Sequence, residues 1–129
     1  MTRAWMILGF AIGLGTVPAS GHHAFGTYYS EDQTVSIEGA LVELELVNPH
    51  SWIHIAAADT GGVVHRVSGE WANAGRLMQQ GITKETLRYG DRLIITGSPA
   101  RNPSEYTMHL KRIERPADGW FWIGRAQKF

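Results

Sequence analysis

The sequence predicts a mainly β protein, a small five-stranded barrel with one helix between strands 3 and 4, after an N-terminal signal peptide. Five segments alternate apolar and polar residues with a period of two, as strands with one buried face do. One segment of helical period falls between the third and fourth of them. The chain has 129 residues, a length that suffices for one domain with a hydrophobic core of its own, and it has no Cys.

The first 21 residues predict a secretory signal peptide. Arg3 precedes an apolar run over residues 4–17, which is shorter than the roughly 20 residues that a membrane-spanning helix needs. Small residues at Ala19 to Gly21 favour cleavage after Gly21, and cleavage after Ala19 is the alternative. We therefore expect a periplasmic or secreted protein with no stable membrane span after cleavage.

The mature chain divides into an extended N-terminal arm, residues 22–33, and a barrel domain, residues 34–129. The alternation that begins at Thr34 changes phase near Gly39, which predicts one long first strand with a bulge or sharp bend. Asn48-Pro49 predicts the turn that ends this strand.

The remaining strands and the helix are predicted from the spacing of apolar residues and from the turn residues between them. Strands are predicted over Trp52–Ala58 and Val63–Ser68 around a hairpin turn, and a helix over Trp71–Gln80, with Gly81 as its stop. The last elements are strands at Arg92–Gly97 and Tyr106–Ile113 and a short extra strand at Trp120–Ile123. In the predicted helix, Trp71, Ala74, Leu77 and Met78 fall on one face. This order is that of an OB-like barrel, whose bent first strand pairs in both halves. A β-sandwich is the alternative, but the single helix argues against it.

Composition excludes several functions. Without Cys there is no disulfide, no Cys-ligated metal and no thiol catalysis. A formal net charge of zero argues against nucleic acid as a partner. No phosphate cradle, nucleophile elbow or His-Glu-x-x-His motif occurs, so we predict no catalytic residues and interpret Glu43 and Glu45 as a solvated strand face.

Three histidines form a candidate copper or zinc site. Cleavage after Gly21 makes His22 the N-terminus, where the α-amine and imidazole chelate such ions, and His23 follows. Cleavage after Ala19 leaves His22 third, a spacing that also favours Cu(II). If the arm folds back to the corner at His50, the three imidazoles share one ion; otherwise His50 is a polar residue of a structural turn. His54 and His65 approach each other only in one strand register, and His109 is expected on a solvent face.

A ligand or partner surface is also predicted, because side chains at strand corners project freely. Trp120 and Trp122 either belong to this surface or close the barrel, and closure is favoured. The predicted surface consists of Asn48, His50, Trp52, His54, Trp120 and Trp122.

Four motifs together resemble a family of small exported bacterial proteins of unknown function, numbered 6152. They are His22-His23-Ala24-Phe25, Asn48-Pro49-His50-Ser51-Trp52, Gly69-Glu70 and Tyr89-Gly90-Asp91, and Ala24 stands where the family usually has Ser. The resemblance implies export and a small barrel, and it makes the three histidines the first positions to examine. The leading hypothesis is a non-enzymatic binding module for a small ligand or periplasmic protein partner. The alternative is a copper- or zinc-binding protein using His22, His23 and His50.

Overall fold

Six strands and two short helices make up the described part of the chain. The computed structural model describes residues 22–124, with side chains from Phe25 onward in the first helix. The elements are α1 (His22–Tyr28), β1 (Val35–Glu45), β2 (Trp52–Ala58), β3 (Val64–Glu70), α2 (Ala74–Gln79), β4 (Arg92–Pro99), β5 (Thr107–Arg115) and β6 (Trp120–Ile123). The predicted signal peptide at residues 1–21 lies outside the described residues.

The first five strands close into a barrel. β1 pairs antiparallel with both β2 and β4, β2 with β3, and β4 with β5. A parallel pairing of β3 with β5, from Ser68↔Thr107 to Glu70↔His109, completes the ring. β6 extends the sheet beyond β5 and lies outside that ring. The prediction of a five-stranded OB-like barrel with a helix between strands 3 and 4 is confirmed, and the sandwich alternative is wrong.

The predicted irregularity of the first strand is present. β1 shifts register against β2 between Leu41 and Glu43, a bulge that bends the strand where it leaves β4 for the second half of the barrel. Gly39 allows the two walls to approach: a Cβ there would lie 2.4 Å from the carbonyl oxygen of Ala56. A side chain at this position would collide with backbone.

Helix α2 is shorter than predicted and faces the core with one residue. β3 continues to Glu70, and the Trp71 N–H bonds to the Ser51 carbonyl, so the helix begins only after Asn73, whose Oδ1 accepts the Arg76 N–H at 2.8 Å. Leu77 is fully buried, but Met78, predicted on the same helical face, is 65% exposed. A helix of six residues has room for little more than one core contact.

The segment predicted as an extended arm instead begins with helix α1. Seven residues are too few for a stable isolated helix, so α1 depends on contacts with the barrel, which the local sequence does not reveal. Tyr29 follows it, is buried and bridges to Ala100. Lys111 Nζ then donates to the carbonyls of Glu31 and Gln33, which fixes the chain as it enters β1.

The aromatic tail strand covers the core. Trp120 and Trp122 pack against the buried cluster, as expected for closure, and Trp122 meets Trp71 edge-on at 5.3 Å between ring centroids. The Trp122 indole N–H donates to Gln80 Oε1 at 2.9 Å. Among the described residues, no helix is both long and apolar enough to cross a membrane.

Candidate functional site

A cleft of about 750 Å³ opens on the outer face of the barrel, under helix α1. The core side chains of β2, β3 and β5 point inward, so the alternate residues of these strands line the outer face. The lining residues come from α1 and the chain after it, the β1–β2 corner and four strands; they are Phe25, Tyr28, Tyr29, Glu45, His50, Trp52, His54, Ser68, Glu70 and Thr107. In OB folds the face of strands 2 and 3 is the one that binds ligands.

A buried carboxylate, Glu70, organises one end of this cleft. It is 8% exposed, and its Oε2 accepts a hydrogen bond from the Tyr29 hydroxyl, with 2.5 Å between the two oxygens. Its other oxygen pairs closely with His50 Nδ1. Burial and the hydrogen bond to Glu70 raise the pKa of Tyr29, so this phenol remains a neutral donor. The Nδ1 contact leaves His50 Nε2 as the ring nitrogen not engaged with Glu70.

Phe25 connects helix α1 to two imidazoles. Its ring stacks on His50 at 5.4 Å and on His109 at 4.5 Å between centroids, each within 14° of parallel. Burial lowers the pKa of His109, which favours its neutral form. His109 lies on the outer face, as its alternation predicts, and it is half-buried there because the Phe25 ring of α1 stacks on it.

A second polar group lies at the other end of the cleft. His54 Nδ1 hydrogen-bonds to Ser68 Oγ at 2.8 Å, and Nε2 lies 3.5 Å from Glu45 Oε1. Glu43 joins them, so that one ligand atom from each of the three residues lies within 4.8 Å of the others. Glu43 also pairs with Arg66. Burial lowers the pKa of His54.

The structure brings half of the predicted surface together. His50, Trp52 and His54 line the cleft, with the Trp52 and His54 rings stacked at 6.4 Å. Asn48, Trp120 and Trp122 are not among its lining residues: Asn48 Oδ1 accepts the Ala74 N–H at the start of α2, and the two indoles cover the core. The side chains of His22 and His23 lie outside the described part of the chain.

The pairing of β2 with β3 separates the two strand histidines. His54 faces Ser68, whereas His65 faces Ala57, so the rings are on opposite faces of the sheet. His65 instead contacts Asp59 Oδ2 through Nε2 at 2.7 Å and stacks on Tyr106.

Sequence reasoning missed the residues that surround His50. The sequence does not assign Glu70, Phe25, Tyr29 or His109 to the site. The sequence does carry a signal for Glu70. Pairing residues outward on both sides of the Asp59–Gly62 hairpin turn places Glu70 opposite Trp52. The others depend on contacts across some 40 to 80 residues of chain.

A comparison with family models matches residues 11–109 to a family of unknown function, DUF6152. The chain belongs to this family. The match agrees with the resemblance seen in the motifs, and it includes every residue that lines the cleft. No curated protein matches the chain.

Proposed function

We propose that this protein is an exported, non-enzymatic binding module whose cleft takes a small organic cation. The observation that carries the proposal is the cleft's lining: four aromatic side chains and two carboxylates, with no Lys or Arg. Aromatic faces and carboxylates both attract positive charge, and an open groove of this volume suits a small molecule.

The internal contacts of the cleft support a prearranged site. Glu70 is held by Tyr29 and His50, so its charge has a fixed position before any ligand arrives. Trp52 is half-buried and Tyr28 is 45% exposed, so both rings can contact a ligand without first leaving a packed core. Fixed groups reduce the ordering cost of binding.

A fluorine NMR experiment tests this function. The chain has five Trp, of which Trp5 belongs to the predicted signal peptide, so mature protein labelled with 5-fluorotryptophan gives four resonances. Benzylamine, which combines a ring with an ammonium group, should shift the Trp52 resonance saturably, with an affinity in the millimolar range, about −4 kcal/mol. The resonances of Trp71, Trp120 and Trp122 serve as internal controls, because these residues lie outside the cleft.

Two comparisons define failure. Benzoate has the same ring with opposite charge and should leave the Trp52 resonance in place; an equal response to both compounds contradicts the preference for cations. Glu45→Gln should weaken benzylamine binding severalfold, whereas Glu38→Gln, on the same strand but outside the cleft, should not. A Trp52 resonance that benzylamine does not move contradicts the proposed site.

The second candidate function is copper or zinc binding through His22, His23 and His50, and the orientation of His50 favours it. A metal-binding imidazole usually donates its other nitrogen's proton to a carboxylate, as the contact of His50 Nδ1 with Glu70 permits. Phe25, one helical turn after His22, stacks on the same imidazole, so α1 begins close to it.

Titration of correctly processed protein with Cu(II), followed by electron paramagnetic resonance, tests this candidate. The spectrum should change in His50→Ala and remain unchanged in His65→Ala, a histidine outside the cleft. An identical spectrum in His50→Ala contradicts the shared site. Mass spectrometry of the protein recovered from the periplasm or medium tests export: the mass should correspond to a start at His22 or Ser20, and intact chain in the cytosol contradicts it.

A further inference from the structure

The geometry points to a divalent transition-metal site of the zinc class formed by Glu43, Glu45 and His54. The inference does not rest on the proposed function, and it shares no ligand with the set of His22, His23 and His50. One imidazole and two carboxylates are ligands that zinc accepts, and three protein ligands leave a position open to water or substrate.

The bulge in β1 creates the arrangement. Because the register shifts between Leu41 and Glu43, Glu43 lies directly opposite His54, and Glu45 follows two residues later on the same face. The three ligand atoms fall within 4.8 Å of one another. This part of β1 pairs with β2, which pairs in turn with β3, so ladder hydrogen bonds hold the backbone that carries these ligands.

His54 provides an independent observation that the cluster is more than an acidic patch. The residue is 9% exposed, and its Nε2 is buried without a hydrogen-bond partner. An orphaned ring nitrogen is costly, and native structures contain few of them. Ser68 Oγ holds Nδ1 at 2.8 Å, which directs Nε2 toward the carboxylates.

The separation of Nε2 from Glu45 Oε1 fits two ligands of one ion. At 3.5 Å it is too long for a good hydrogen bond. Ligands 2.0–2.2 Å from a tetrahedral zinc lie about 3.4 Å apart, so an ion fits between these two atoms with little movement. Arg66 pairs with Glu43 through Oε2, and the same carboxylate carries a second oxygen for a metal.

A zinc titration, followed through the NMR signals of the histidine ring nitrogens, tests the inference. Mature protein labelled with ¹⁵N is titrated with ZnCl₂, and long-range ¹H–¹⁵N spectra report each imidazole nitrogen separately. The His54 Nε2 resonance should shift and saturate near one equivalent. Glu45→Gln should weaken this binding at least tenfold, because it replaces a charged ligand, whereas Glu38→Gln on the same strand should leave the affinity unchanged.

Three results overturn the inference: a His54 resonance that excess zinc does not move, equal affinities in Glu45→Gln and Glu38→Gln, or shifts confined to His50 and the N-terminal histidines. His54→Gln tests the ligand directly, and Glu45→Gln, at a more exposed position, keeps the test valid if that variant fails to fold. Benzylamine binding in metal-free protein is measured separately, so either proposal can fail without the other.

Discussion

Replacing Tyr29 by Phe removes one oxygen atom from the Glu70 network and leaves the rest of the side chain in place. The Tyr29 ring is buried and bridges the chain to Ala100, so Phe should keep its packing. What disappears is the hydroxyl that donates to Glu70 Oε2 at 2.5 Å. The buried carboxylate then retains His50 as its partner.

The expected cost follows from the environment of that hydrogen bond. Hydrogen bonds to charged groups contribute about 1.5–3 kcal/mol, and both partners here are buried, with 1% and 8% exposure. We expect Tyr29→Phe to lower the free energy of unfolding by about 2 kcal/mol. In a domain of this size that is a fall in Tm of roughly 8–16 °C.

Urea denaturation of the mature protein, followed by Trp fluorescence, measures this change. Tyr89→Phe is the matched control, because Tyr89 is 84% exposed, and it should change stability by less than about 0.5 kcal/mol. In a double-mutant cycle with Glu70→Gln, the two substitutions should couple by more than about 1 kcal/mol. Tyr29→Phe indistinguishable from Tyr89→Phe, or a cycle without coupling, would refute the reasoning.

Three further variants probe the fold and its titration. Gly39→Ala should destabilise by about 2–3 kcal/mol in urea denaturation, because its Cβ would collide with the Ala56 carbonyl, whereas Gly75→Ala, with room at 3.5 Å and a helical position, should be neutral or stabilising; equal effects would contradict this. Asn73→Ala should cost about 1 kcal/mol by removing the cap of α2, measured the same way, and a neutral result would contradict the capping role. Since the folded pKa of His109 is lowered, the unfolded chain binds the proton first as pH falls below about 6.5, and stability should decline until the folded pKa is reached. His109→Asn should make the free energy of unfolding, measured by urea denaturation at several pH values between 7 and 5, depend less steeply on pH. An unchanged pH dependence would contradict the role of His109.

The strands were predictable because they depend on local alternation. The bounds of β2 agree with the prediction, and the bulge of β1 lies two to four residues beyond Gly39, where the apolar phase changes. The OB-like closure followed from element order alone. Helix α1 was not predictable, since its seven residues derive their stability from contacts with β5 and the β1–β2 corner.

The candidate site was predictable only in part, for the same reason. His50, Trp52 and His54 stood out by residue type and by their place near a strand corner. Glu70 reaches this corner through the β2–β3 hairpin, but His109 does so only through the β3–β5 pairing, which joins residues some 40 positions apart. No local pattern encodes such a contact.

One wall of the cleft consists of Phe25, Tyr28 and Tyr29, which belong to helix α1 and the residue after it. Because α1 begins at His22, a purification tag or fusion partner attached there would be joined directly to the element that forms this wall. β6 contributes none of the lining residues, so recombinant material for ligand screening is better extended at the opposite terminus.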